Sequence, residues 1–191
     1  MSASVSIVTP AASHPLLLDD VKLFLRIDAS DEDSLLSMLL SAATEYVEGH
    51  VGQTLITQTR KLTLDKFPAD WTDWIRLPYP PLSSVSSVKY YYDETLTIWD
   101  SANYEVDTDD TPGRIRPSCG NTWPSTDDRL GAVEITYVCG YGASYTSVPN
   151  TLRVALMQLV HDWYTDRTAE GKSTTGYERL ITAASHGGYL L

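Results

Sequence analysis

Residues Val133 to Arg167 constrain the fold more than any other stretch, because strand, turn and long helix follow one another there. Val133, Ile135, Tyr137 and Cys139 alternate with Glu134, Thr136 and Val138, the period-two pattern of a strand with one buried face. Gly140 and Gly142 break that strand. Pro149 then suits a helix start, where its missing N–H has no partner to lose and its fixed φ is already helical. Leu152, Ala155, Leu156, Leu159, Val160 and Trp163 recur at i, i+3, i+4, i+7, i+8 and i+11, an apolar stripe wide enough to wall a core. Arg153, Gln158, Asp162 and Asp166 fall between them and face water.

A stripe of that width needs a partner, and the chain offers one near its other end. Asp19 is a good N-cap for a short helix carrying Val21, Phe24, Leu25 and Ile27, with Asp28 ending it. Ser30 and Asp33 resemble a capping box, so a second helix is expected from about Asp31. Its apolar residues form two adjacent rows, Leu35, Leu39, Ala42 and Tyr46 beside Leu36, Leu40, Ala43 and Val47, and Gly49 or Gly52 closes it. Neither helix buries its stripe alone. The two are therefore expected to pack together across about a hundred intervening residues, which makes the helical domain discontinuous.

The region between them changes character. Thr, Val, Tyr and Trp rise, prolines and glycines punctuate it, and helical periodicity vanishes. Strands are expected at Thr57–Leu64, Trp74–Leu77, Val85–Tyr92, Thr95–Trp99, Tyr104–Val106, Gly113–Arg116 and Val133–Val138, with Asp93-Glu94 as a tight hairpin turn. The expected architecture is α+β: a helical bundle built from N- and C-terminal helices with an inserted small antiparallel β-sandwich or barrel. The divisions are a flexible N-terminal arm over residues 1–15, a helical domain from 16–54 plus 147–170, a β domain over 55–146, and a flexible C-terminal tail over 171–191, with a helix possible at Tyr177–Ala184.

Charge and composition narrow the chemistry. The 191 residues carry 14 Lys and Arg against 25 Asp and Glu, a net charge of −11, so an open DNA- or membrane-binding face built on clustered cations is excluded. No basic n-region followed by an apolar run marks a secretory leader, and no apolar window approaches the roughly 18 residues of a membrane span. A soluble protein made in a cytoplasm is expected. Cys119 and Cys139 show no CxxC or Cys/His metal spacing, and His161 lies at the edge of the apolar stripe without an HExxH around it. Catalysis through Cys139 or His161 thus has no motif behind it. Asp107, Asp109 and Asp110 alternate like a calcium loop, but the twelfth position is Ser118 rather than Glu, so a solvated turn is expected. Gly140-Tyr141-Gly142 before a helix invites a phosphate-loop reading, yet it lacks both the third glycine of the dinucleotide fingerprint and the Gly-Lys-Ser/Thr of a P-loop. No cofactor and no metal site is expected. Trp71, Trp74, Tyr79, Tyr90, Tyr91, Tyr92 and Trp99 cannot all be interior to so small a sheet, which leaves a carbohydrate- or host-surface-binding module, using Trp71 and Trp99, as the alternative function.

Several stretches together resemble one family. Leu25-Arg26-Ile27-Asp28, Asp31-Glu32-Asp33, Val47-Glu48 and Gly52-Gln53-Thr54-Leu55 look like the N-terminal block of phage head-tail connector proteins, the adaptor or head completion proteins of long-tailed phages and prophages. Leu77-Pro78, Pro80-Pro81-Leu82 and Val85-Ser86-Ser87-Val88-Lys89-Tyr90 resemble the middle block of the longer members. Trp123-Pro124, Val133-Glu134-Ile135, Gly140-Tyr141-Gly142, Val148-Pro149, Tyr164 and Arg167 resemble the closing block. The linker Asp107 to Pro112 and the tail after Gly171 depart from the pattern. The resemblance implies a structural virion protein rather than an enzyme: a ring, commonly twelvefold, beneath the portal protein, extending the DNA channel and receiving the next neck or tail protein. It further implies a place in the virion neck after assembly in the bacterial cytoplasm, double-stranded DNA passing through without specific binding, and docking of the C-terminal segment on the portal. Arg167, Lys172, Tyr177, Arg179 and Tyr189 are the candidate docking residues by position.

Overall fold

A computed structural model describes residues 3–70, 73–165, 179, 180 and 182. It is α+β, and the chain divides into two compact units. One takes the residues up to Ala11 together with Thr57–Gly140; the other takes Ala12–Ile56 together with the chain from Tyr141 on.

The first unit holds two open antiparallel sheets on one core. β1 (Ala3–Thr9), β2 (Gln58–Leu64), β8 (Val133–Cys139), β4 (Leu82–Tyr92) and β5 (Thr95–Trp99) form a five-stranded sheet in the order β1-β2-β8-β4-β5. β3 (Ile75–Arg76), β7 (Arg114–Pro117) and β6 (Tyr104–Asp107) form a three-stranded sheet in the order β3-β7-β6. Strict alternation decides the faces of β2 and β8: Leu62, Leu64, Val133, Ile135, Tyr137 and Cys139 point inward and are buried. Val88 and Trp99 join them from β4 and β5, and Ile75 and Ile115 come from the smaller sheet. The sheets thus pair as a sandwich, and neither closes into a barrel.

The loose N-terminal arm is corrected for most of its length. Residues 3–9 are a strand, pairing Ala3 with Leu64 through Ile7 with Arg60. Val5 and Ile7 alternate with Ser4 and Ser6, but only Val5 is partly buried, and the abundance of Ser, Ala and Thr obscures the alternation.

The second unit holds α1 (Leu18–Leu25), α2 (Asp33–Val51) and α3 (Asn150–Thr165). Leu40, Ala43, Val47 and Val51 of α2 meet Leu152, Ala155, Leu156, Leu159 and Val160 of α3 in one apolar cluster, with Leu16 and Val21 beside them. One predicted row of α2 is therefore interior, while Ala42 and Tyr46 of the other are exposed. The caps differ from expectation. α1 begins after Leu17, so Asp19 sits inside the first turn, where its charge favours the helix dipole, and Arg26 in a left-handed conformation ends the helix ahead of Asp28. No capping box forms at α2; its N-cap is Glu32, and Asp33 pairs instead with Lys22 at 2.7 Å. Gly52, left-handed at φ 65°, closes α2. Arg179, Leu180 and Thr182 are helical and Leu180 packs against the helical cluster; the remaining residues of the expected tail lie outside the described residues.

Candidate functional site

The family-like motifs resolve into structural ties. In the helical unit, Glu48 Oε1 accepts from the Leu55 N–H at 2.7 Å just beyond the Gly52 cap. The Tyr141 hydroxyl donates to Gln53 Oε1 at 2.8 Å, and the Tyr141 N–H reaches the Leu55 carbonyl. Thr54 and Leu55 are fully buried. One knot thus joins Gly52-Gln53-Thr54-Leu55 to Tyr141, residues nearly ninety positions apart, and burial pushes the Tyr141 phenol above its ordinary pKa. A second tie runs from the Tyr164 hydroxyl on α3 to the Glu32 carboxylate at the head of α2.

At Gly140-Tyr141-Gly142 the two glycines answer to the backbone of the turn. Gly140 ends β8 at φ 124°, a conformation that side chains avoid, and a Cβ on Gly142 would stand 2.6 Å from Ser147 Cβ. In the β unit, the Leu77-to-Leu82 linker carries the passage between sheets. The Tyr137 hydroxyl donates to the Pro78 carbonyl at 2.9 Å, the Gly140 N–H to the Pro81 carbonyl, and the buried Arg60 guanidinium stacks 3.9 Å over the Tyr79 ring. Burial raises the Tyr137 phenol well above its usual range.

The residues that invited catalytic readings are dispersed. Cys139 is buried in the sheet core, whereas Cys119 is exposed in a loop. His161 is exposed on α3, edge-on to Phe24 and 3.3 Å from Asp162. Among the described residues, no cluster of His, Cys, Asp and Glu could hold a metal ion. Asp107 accepts from the amides of Asp109 and Asp110 and from Arg114 Nε at 3.0 Å, and these bonds hold its carboxyl below the usual carboxylate range. Arg114 also pairs with Asp110 and lies 4.7 Å over the Trp74 ring. The expected solvated turn is thus an arginine-clamped one beside a depression of about 350 Å³ lined by Trp74 and residues of β6 and β7. Of the tryptophans that suggested a sugar face, Trp99 is only 7% exposed, packed among Phe67, Tyr104 and Trp123, and Trp71 lies outside the described residues. Trp99 offers no ring for a sugar to stack on. Of the candidate docking residues, Arg179 is exposed and helical; Arg167, Lys172, Tyr177 and Tyr189 lie outside the described residues.

The described surface also carries exposed apolar side chains. Leu23, Phe24, Met38 and Tyr46 are exposed on the helical unit, and Ile7, Val8, Leu96 and Ile98 on the two outer strands of the large sheet. Among the described residues, no helix is long and apolar enough to cross a membrane.

A family model for head completion proteins matches residues 16–183. The chain belongs to the head completion protein family. Solved structures share its fold along nearly its whole length. A chain in the neck of an empty gene transfer agent particle, computed with C6 symmetry, superimposes with a TM-score of 0.79 at 26% identity, covering 94% of both chains. One in the neck of the native particle, computed with C12 symmetry, gives 0.75 at 25%, covering 94% of this chain and 93% of that one. A third, from the virion of the native particle, gives 0.79 at 24% over 94% and 93%. No curated protein matches the chain in sequence. Head completion proteins serve a structural role between head and tail, and the features above suit one: polar and apolar ties that stiffen each unit, and exposed apolar surface at its borders.

Proposed function

We propose that the chain is a head-tail adaptor of a phage or gene-transfer-agent neck. Copies form a ring beneath the portal, extend the DNA channel and receive the next neck or tail protein. The observation that carries this reading is the likeness over 94% of the chain to neck chains whose particles were computed with C6 and C12 symmetry. The role is structural and non-enzymatic, and the protein resides in the virion after assembly in the host cytoplasm. A net charge of −11 fits a channel along which DNA slides without being held. The C-terminal segment docks on the portal, with Arg167, Lys172, Tyr177, Arg179 and Tyr189 as its contact residues.

The test is mass by light scattering together with negative-stain images, for the protein alone and mixed with the portal protein encoded beside it. A ring alone, or added density beneath the portal, is the expected result. A chain that stays monomeric and ignores the portal overturns the adaptor reading.

A further inference from the structure

The large sheet ends in two strands of unusual character. Among the described residues, nothing pairs with the outer edge of β1 or of β5. An open edge presents a row of unsatisfied N–H and C=O groups, and proteins ordinarily blunt it with charge, proline or irregularity. The smaller sheet does so: its outer strands carry Arg76 on β3 and Glu105 and Asp107 on β6. β1 (ASVSIVT) and β5 (TLTIW) carry no charge and no proline. β1 is irregular only at Val8, between the paired Ile7 and Thr9, which leaves Ala3–Ile7 regular against the five residues of β5. Exposed apolar side chains flank both edges, Ile98 at 66% and Ile7 at 53%.

We infer that β5 of one copy pairs with β1 of the next, head to tail, so that the five-stranded sheet runs on from copy to copy. This rests on the ring reading proposed above. Two copies of net charge −11 repel and so approach with least opposition at strands that carry no charge; the two neutral strands lie at opposite edges of one sheet, as a head-to-tail contact between like copies in a ring requires. Geometry then fixes the pairing. Each neighbour in the order β1-β2-β8-β4-β5 is antiparallel to the last, so β1 and β5 run in the same direction. A cyclic step of a sixth or a twelfth of a turn cannot reverse a strand, so the new pair is parallel. Pairing of β1 with β1, or β5 with β5, would need a half-turn and would close a dimer.

Ser4, Thr63, Glu134, Lys89 and Ile98 lie in one row across the sheet, so Ser4 and Ile98 mark the same face at opposite edges. In a Cys119→Ser background, a chain carrying both Ser4→Cys and Ile98→Cys, assembled on the portal and treated with a short thiol cross-linker, is expected to give a ladder of multimers. Either single variant gives none. Ile98→Glu, whose new carboxylate faces Lys89 across the strand pair, and separately Ser4→Glu, are expected to abolish rings while the monomer's melting temperature holds. Rings that survive both Glu variants without a ladder overturn the edge pairing and leave the ring reading standing. Dimers from Ser4→Cys alone overturn it in favour of a two-fold contact. No ring from the parent chain, even with the portal, overturns the ring reading and this pairing with it.

Discussion

Gly113 marks a place where the smaller sheet comes close to β4 of the larger one. Its carbonyl accepts from the Leu77 N–H at 2.8 Å, and a Cβ added to it would stand 2.5 Å from the Cβ of the buried Leu82. Because Leu82 Cβ belongs to strand β4 and cannot swing aside, Gly113→Ala is expected to destabilise by about 1–3 kcal/mol, read as a lower urea midpoint with unchanged slope. Asp107 gives a prediction with a sign. Its carboxyl is held below its ordinary 3.8 chiefly by the Asp110 amide and Arg114, so its contribution is present above that value and lost as pH falls through the lower, folded one. Asp107→Asn should therefore lower the urea midpoint at neutral pH and match the parent in strong acid; a gap that persists in acid would assign the loss to packing instead. Residue types exposed the turn here, through acids beside Thr-Pro-Gly, but not its clamp. Arg114 comes from the next strand, and no local pattern announces a partner across a hairpin.

Elements were legible where one period ran long enough to be unambiguous. The stripe from Leu152 to Val160 and the alternation from Val133 to Cys139 became α3 and β8 within a residue or two, because burial on one face dictates both patterns. Truncating the centre of that stripe, Leu156→Ala, is expected to cost about 2–5 kcal/mol, since Leu156 is fully buried in the apolar cluster of the helical unit. Val154→Ala, two residues away and half exposed, should stay within about 0.5 kcal/mol. Equal losses in thermal or urea denaturation would contradict the assigned face. β1 escaped notice because its pattern is short and its polar residues are serines, which suit loops equally well; only the exposed flank of β2 reveals why they are extended. The caps failed for a related reason. Asp19 and Ser30 are cap-forming residues, yet Leu16, buried just before α1, and the Lys22–Asp33 ion pair set where the helices begin. The surfaces proposed for assembly had almost no local signal, because an unpaired edge is defined by the strand that is missing beside it.

At the scale of the whole molecule, charge and docking make separate demands. On the adaptor reading proposed above, a protein at a DNA channel must not hold DNA, and much of the described cationic charge is already committed. Lys22 pairs with Asp33, Lys61 with Glu134, Arg114 with Asp107 and Asp110, Arg116 with Glu105, and Arg153 lies 4.0 Å from Asp20. Each phosphate neutralised by a protein steepens the fall of affinity with salt, so any DNA contact would be strongest at low ionic strength. The expected outcome is no retention of double-stranded DNA even there, measured by mobility shift; affinity that appears at low salt and falls steeply as salt rises would contradict a sliding channel. The portal docking proposed above would demand the reverse, an adhesive segment on an otherwise repellent molecule. Of the 14 Lys and Arg, Arg167, Lys172 and Arg179 fall within a short span near the C-terminus, alongside Tyr177 and Tyr189, a mixture suited to protein interfaces. Replacing those five residues with Ala is therefore expected to abolish portal binding in co-sedimentation while leaving the melting temperature unchanged. Binding that persists at parental affinity would move the docking surface off this segment, towards the exposed apolar positions Leu23, Phe24 and Met38 of the helical unit.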